Sequence, residues 1–151
     1  MKNRIEETFN RLKKEGKKAL IPYIMAGDPD LDHTESFLLE LEEAGADIVE
    51  LGIPFTDPVA DGPTIQRAAE RALSSGTTLR RVMDFIPRLR EKTDIPIVLM
   101  TYYNPVFKYG VPKFAKKAAE VGVDGVIIPD LIPEEAGELL RASEEVGLST
   151  V

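Results

Sequence analysis

The sequence predicts an α/β fold built from parallel β/α units. Three observations carry this prediction. Short, nearly continuous apolar runs alternate with helically periodic segments along the whole chain, the pattern of strands covered on both faces and joined by right-handed crossovers. A junction motif recurs: Glu42-Glu-Ala-Gly45-Ala-Asp47-Ile-Val returns 77 residues later as Ala119-Glu-Val-Gly122-Val-Asp124-Gly-Val, and more loosely as Glu144-Glu-Val-Gly147-Leu-Ser. Finally, 151 residues with 43% hydrophobic content suffice for one domain with a real core.

The elements follow in order. Residues 5–14 carry apolar side chains at 5, 9 and 12, an amphipathic opening helix. Residues 19–25 form a first apolar strand, ended by the turn Gly27-Asp28-Pro29. Residues 31–43 have helical spacing, with His33 as a solvated side chain in the first turn, and stop at Gly45. A second strand spans 48–53 and leads into the loop 54–63. Helices over 64–73 and 79–90 are split by Ser74-Ser75-Gly76. The third strand is 96–102, followed by a helix over 111–121; the fourth is 123–128, followed by a helix over 134–146. Residues 149–151 begin another strand. Each repeated glycine is expected to cap its helix in the left-handed conformation. The order is one helix, four β/α units and the start of a fifth strand. It is that of an open α/β domain or of a (β/α)₈ barrel ending after its fourth unit, since such barrels take about 250 residues. The strand begun at 149–151 favours the second.

Composition narrows the function. Without cysteine there is no disulfide, thiolate metal site or cysteine nucleophile, and a single histidine supports no His-rich metal centre. A net charge of −7 argues against a general nucleic-acid or anionic-membrane surface. The charged N-terminus lacks the apolar core of a signal peptide and no run approaches about 18 apolar residues, so a cytoplasmic location is expected.

Candidate chemistry gathers at the C-terminal ends of the strands, where barrels carry their active sites. Along the second strand Val49, Leu51 and Ile53 share an apolar face, while Ile48, Glu50 and Gly52 share the other. Glu50 is therefore an inward carboxylate. Buried without a cation it would rise toward the range of a general acid/base; alternatively it is half of an ion pair. Eleven residues on, Asp61 lies in the loop Pro54-Phe-Thr-Asp57-Pro-Val-Ala-Asp61-Gly-Pro63. Spacing alone favours a cap for the helix opened by Pro63, the alternative being that Glu50 and Asp61 flank one ligand; Asp57 reads as a structural or interface residue. Tyr23, Met100 and Tyr102 either line an aromatic-binding pocket or belong to the core. Tyr102-Tyr103-Asn104-Pro105 ends the third strand at the same rim.

The run Glu50-Leu-Gly-Ile-Pro-Phe-Thr-Asp57-Pro-Val-Ala-Asp61-Gly-Pro-Thr-Ile-Gln66 closely resembles the signature of the tryptophan synthase alpha chain family. Pro22-Tyr-Ile-Met-Ala-Gly27-Asp28-Pro29, Thr101-Tyr-Tyr-Asn-Pro-Val-Phe107 and Gly125-Val-Ile-Ile-Pro-Asp130-Leu match in the same order. The resemblance runs from the opening helix to Val151. It implies a TIM barrel, of which residues 1–151 would be a single incomplete domain: the N-terminal helix and the first four β/α units, a half-barrel ending at strand five. It implies a lyase of tryptophan biosynthesis that cleaves indole-3-glycerol phosphate to indole and glyceraldehyde 3-phosphate by retro-aldol chemistry. Glu50 would take the side-chain hydroxyl proton and give one to indole C3. Asp61 would meet the indole N–H and stabilise positive charge as C3 is protonated. Tyr23, Met100, Tyr102, Ile127 and Pro129 match positions near the indole. No metal or cofactor belongs to such a chain; pyridoxal phosphate belongs to the beta chain, the expected partner in an alpha2beta2 assembly. Pro54, Asp57, Tyr103 and Asn104, at the mouth through which indole leaves, are the candidate beta-chain contacts. The family holds the substrate phosphate on glycine-rich turns of its last two β/α units, and these 151 residues contain no such loop. The isolated chain is therefore expected to be inactive, with Ile48, Met100, Tyr102 and Ile127 exposed to water and both sheet edges prone to association. The alternative is a non-catalytic half-barrel, natural or engineered, that pairs with itself or another half.

Overall fold

The computed structural model describes residues 3–151. They form a five-stranded parallel sheet in the order β1-β2-β3-β4-β5, each strand hydrogen-bonded to its sequence neighbours. The strands are β1 (Tyr23–Met25), β2 (Val49–Gly52), β3 (Ile97–Met100), β4 (Gly125–Ile127) and β5 (Ser149–Thr150). Helices α1 (Arg4–Glu15), α2 (Leu31–Glu43), α3 (Pro63–Ser74), α4 (Leu79–Arg90), α5 (Tyr103–Tyr109), α6 (Val111–Val121) and α7 (Gly137–Val146) fill the connections, with a 3₁₀ turn at Pro133–Glu135. Among the described residues no helix is long and apolar enough to cross a membrane.

Local chemistry explains most boundaries. Asn3, Asp30 and Thr78 cap α1, α2 and α4 by accepting backbone N–H groups from Ile5, His33 and Arg81. Pro63 opens α3 at a position whose N–H would have no helical partner. All three repeated glycines have positive φ: Gly45 at 104°, Gly122 at 97° and Gly147 at 72°.

The aspartates of the repeat do equivalent work. Asp47 accepts the Leu20 N–H at 2.9 Å, and Asp124 accepts the Ile97 N–H at 2.9 Å. Asp124 thus holds the first amide of β3, and Asp47 holds the segment that leads into β1. Asp124 also binds Arg90 (2.8 Å) and Arg4 (3.0 Å), joining α1, α4, β3 and β4 below the sheet.

The two faces of the sheet divide as the alternation predicts. Val49, Leu51, Ile53, Ile97, Leu99 and Val126 pack beneath α4 and α6 in the main core with Val82, Ile86, Leu89 and Phe114; each such side chain contributes roughly 1.5–3 kcal/mol on burial. The opposite, inward face is closed at its N-terminal end by α1, whose Ile5 covers Ile48 and Val98. Near the C-terminal end α3 lies over β1, its small residues Ala68, Ala69 and Ala72 packing on Met25.

Several expectations need correction. The apolar runs are longer than the strands: residues 19–22 are outside β1, although Leu20 and Pro22 accept bonds from Asp47 and Glu50. Helix α5 covers a stretch to which the sequence pattern assigns no element beyond the end of the third strand; Pro105, in its first turn, removes no helical hydrogen bond. The last predicted helix is a 3₁₀ turn followed by α7. His33 is exposed as expected, but its ring pairs with the Asp30 cap at 2.9 Å. The predicted water-exposed inward patch is smaller than expected, since Ile48 and Tyr102 are buried and only Met100 and Ile127 are half-buried.

Candidate active site

Strand register builds the site in layers. Tyr23, Glu50, Val98 and Gly125 stand side by side across β1 to β4. One layer nearer the C-terminal ends stand Met25, Gly52, Met100 and Ile127. Registered neighbours share a face, so Glu50 lies on the same inward face as Tyr23, Met100 and Ile127. Glu50 is half-buried, and its carboxylate makes no hydrogen bond or ion pair with any described residue. It is not the partner of a cation among the described residues.

Gly52 makes room for Tyr23. A Cβ on Gly52 would stand 2.0 Å from the Tyr23 hydroxyl, so any other residue would push the phenol aside. Burial raises the Tyr23 pKa, and the charges of Asp61 and Glu50, with Tyr102, add to the rise. The phenol therefore stays protonated and neutral at ordinary pH, in the field of both carboxylates.

Asp61 is half-buried at the end of the loop after β2. It is not the helix cap that spacing suggested: Gly62 is the N-cap of α3, and no side chain caps it. Instead Asp61 Oδ2 accepts the Tyr102 hydroxyl at 3.0 Å. Gln66 Nε2, one turn into α3, donates to the Asp61 carbonyl at 2.8 Å. Helix α3 is itself tethered to the loop after β1, where Arg71 makes a bidentate pair with Asp28 at 2.7 and 2.8 Å.

The remaining predicted residues are arranged around this centre. Pro129 lies just beyond β4, exposed. Asp57 is exposed and accepts the Thr56 hydroxyl at 2.7 Å. Asn104 is exposed, Tyr103 half-buried and Pro54 buried, so Pro54 presents little surface to a partner. The Tyr103 N–H donates to Asp130 at 2.8 Å, fastening the ends of β3 and β4 together. Sequence reasoning missed Val59, Phe107 and Ile132, large apolar side chains 81%, 63% and 53% exposed on the segments after β2, β3 and β4. Their signal was present as apolar residues, Val59 in the loop 54–63 and Phe107 and Ile132 in stretches given no element. It also missed Gly52, whose role depends on a ring from another strand. Among the described residues no cluster of three or more His, Cys, Asp or Glu side chains could hold a metal ion.

The arrangement offers a carboxylate without a partner among the described residues on the inward face of the sheet, a second carboxylate held on the adjoining loop, and aromatic and apolar neighbours. It suits proton transfer on a flat aromatic substrate.

Residues 9–151 match the family model described as tryptophan synthase alpha chain. The tryptophan synthase alpha chain of Geobacter sp. (strain M21) is 56% identical over 149 residues, which cover 99% of this chain and 56% of that relative. Among solved structures, tryptophan synthase subunit alpha from Legionella pneumophila str. Paris superposes with a TM-score of 0.97 at 45% identity, covering 99% of this chain and 58% of that one. A chain from the tryptophan synthase a2b2 complex of Pyrococcus furiosus, described in terms of mutual activation, superposes with a TM-score of 0.83 at 47% identity over 87% of this chain and 56% of that one. The chain thus spans a little over half the length of the relatives it matches.

Proposed function

Because the chain belongs to the tryptophan synthase alpha chain family, we propose that its residues carry the acid/base centre for cleaving indole-3-glycerol phosphate to indole and glyceraldehyde 3-phosphate. The observation that carries this reading is Glu50: an inward carboxylate at the C-terminal end of a parallel sheet, without a partner among the described residues, one strand from Tyr23 and in whose field, with Asp61, the Tyr23 phenol titrates. Glu50 gives a proton to indole C3 and takes the proton of the hydroxyl on the adjacent side-chain carbon. The electrons of that O–H bond form the aldehyde carbonyl, the carbon–carbon bond breaks, and its electrons return to the ring to restore indole. Asp61 accepts the ring N–H and offsets the positive charge that develops when C3 is protonated. Tyr23, Met100, Tyr102, Ile127 and Pro129 surround the ring. The reaction is that of a lyase in tryptophan biosynthesis, in the cytoplasm. The test is direct: the full-length protein given indole-3-glycerol phosphate releases indole and glyceraldehyde 3-phosphate in equal amounts. Failure to release indole would overturn the reading.

We further propose that the sheet is the first part of a (β/α)₈ barrel and that residues 1–151 form a single incomplete domain of it. Two features support this. An apolar hollow of about 270 Å³ beside β5 is lined by Val126, Ile128, Leu139 and Val151. Another of about 400 Å³ at the β1 end is lined by Ile24, Phe37 and Leu41. Both lie where flanking β/α units would pack. Leu20, Ile21, Phe37, Leu140 and Val151 are exposed near these two edges, so association is driven from the edges rather than the inward face. A polypeptide of these 151 residues, made as such, elutes with light scattering above monomer mass and releases no indole, lacking a glycine-rich phosphate loop. A sharp monomer peak or measurable cleavage would refute the respective half of this expectation.

The beta chain is the proposed partner, as in the assembly of the Pyrococcus furiosus relative. Asp57, Tyr103 and Asn104 lie on the rim beside Val59, Phe107 and Ile132, and a surface with apolar side chains within a polar rim suits protein contact. Asp57→Ala lowers activation by added beta chain several-fold while KM for indole-3-glycerol phosphate stays within about twofold, since a rim charge acts on association rather than chemistry. A titration with beta chain that leaves activation unchanged would count against this surface.

A further inference from the structure

Tyr102 is where the loop bearing Asp61 meets the sheet. Its hydroxyl donates to Asp61 Oδ2 at 3.0 Å and accepts the Ala60 N–H at 3.0 Å. The two bonds are compatible, because a hydroxyl has one proton to give and lone pairs to spare. The ring is buried and lies 5.5 Å from the Phe55 ring at an interplanar angle of 32°. From residue 54 to residue 62 the other hydrogen bonds of the loop among the described residues are internal, Val59 N–H to Asp57, Asp61 N–H to Pro58 and Thr56 to Asp57, or come from Gln66 of α3. Tyr102 supplies the hydrogen bonds that fasten this loop to the strand beside it. Asp61 Oδ1 has no partner among the described residues.

We propose that Tyr102 is the positioning residue for Asp61: its hydroxyl clamps the loop at Ala60 and fixes one oxygen of the Asp61 carboxylate, so that the other is presented to the substrate's ring N–H. The inference rests on the proposed function and deepens it, giving the Tyr102 hydroxyl a task distinct from its ring's contact with the indole. Burial raises the phenol's pKa and the hydrogen bond to Asp61 adds to it, so the donor keeps its proton across the working range. A carboxylate on a surface loop would otherwise sample many orientations, and misplacement by about 1 Å at a reacting group costs on the order of 100-fold in rate.

The test is Tyr102→Phe in the full-length protein, which keeps the ring and removes one oxygen. We expect kcat for indole release to fall about 10- to 100-fold with KM within about threefold. In an Asp61→Ala background the same change has less than about a twofold effect, because a residue acting through Asp61 has nothing left to act on. The Ala60 amide exchanges with solvent at least about tenfold faster in Tyr102→Phe, while the melting midpoint is unchanged. An equal fall in both backgrounds would overturn the positioning role, and so would an unchanged kcat. Should the wild-type protein release no indole, the function reading fails, and Ala60 exchange still judges the clamp: unchanged exchange refutes it.

Discussion

Glu50→Gln abolishes indole release in a full-length chain, by at least about 10³-fold, and leaves the melting temperature where it was. The two halves of this result come from the same observation. The Glu50 carboxylate makes no hydrogen bond or ion pair with any described residue, so the nearly isosteric amide forfeits no structural partner. An amide cannot take a proton from a hydroxyl and return one to carbon, and positioned acid/base groups contribute about 10²- to 10⁴-fold. Asp61→Asn loses rate severely but less completely: the negative charge goes and the one amide oxygen serves either the Tyr102 hydroxyl or the indole N–H, but Glu50 still moves the protons. Steady-state indole release and a thermal melt on each variant check both. Wild-type turnover in Glu50→Gln would end the assignment; a large loss of stability would mean that the side chain is structural after all.

Asp124→Ala has the largest expected effect on stability, about 3–5 kcal/mol. The carboxylate is 5% exposed and satisfies three groups: the Ile97 N–H, Arg90 and Arg4. Removing it leaves a buried amide without an acceptor and takes the counter-charge from Arg90, whose side chain is only 11% exposed and keeps just the carbonyls of Thr93, Ile95 and Gly122. Burial already lowers the Arg90 pKa, and Asp124 is the main group opposing that fall, so the cation loses its principal counter-charge. Asp47→Ala is the internal control. It occupies the same place in the repeat, but Asp47 is 15% exposed and its partner Arg11 is 53% exposed. Its loss is expected to cost about 1–2 kcal/mol, mainly through the Leu20 N–H. Urea unfolding of the two variants in the same chain measures the difference; equal losses would show that burial of the ion pair is not what matters.

The layered order was legible because it depends on local rules. The helices over 31–43, 79–90 and 111–121 have the bounds that periodicity predicts, since their apolar stripes, caps and terminal glycines agree. The face of Glu50 followed from a period of two along β2, and register with β1 and β3 bears it out. Strand lengths were less legible: residues 19–22 are apolar and extended, yet pair only in part. Helix α5 was hidden because a proline in a first turn and one that ends a helix look alike in sequence.

The sequence by itself determined the parallel β/α alternation, the inward placing of Glu50 and, through one long signature, the family. Only the tertiary structure decided what Asp61 does locally, because spacing before Gly62 and Pro63 points to a cap; a hydroxyl 41 residues away takes the carboxylate instead. It also decided that Gly52 must lack a side chain, since the Tyr23 ring occupying that space comes from the neighbouring strand. It made the repeated aspartates, conspicuous as a motif, into acceptors for an amide at or just before the start of the strand beside them. Periodicity records which way a residue faces. What it meets there depends on register and on packing between segments far apart in the chain, which no local pattern encodes.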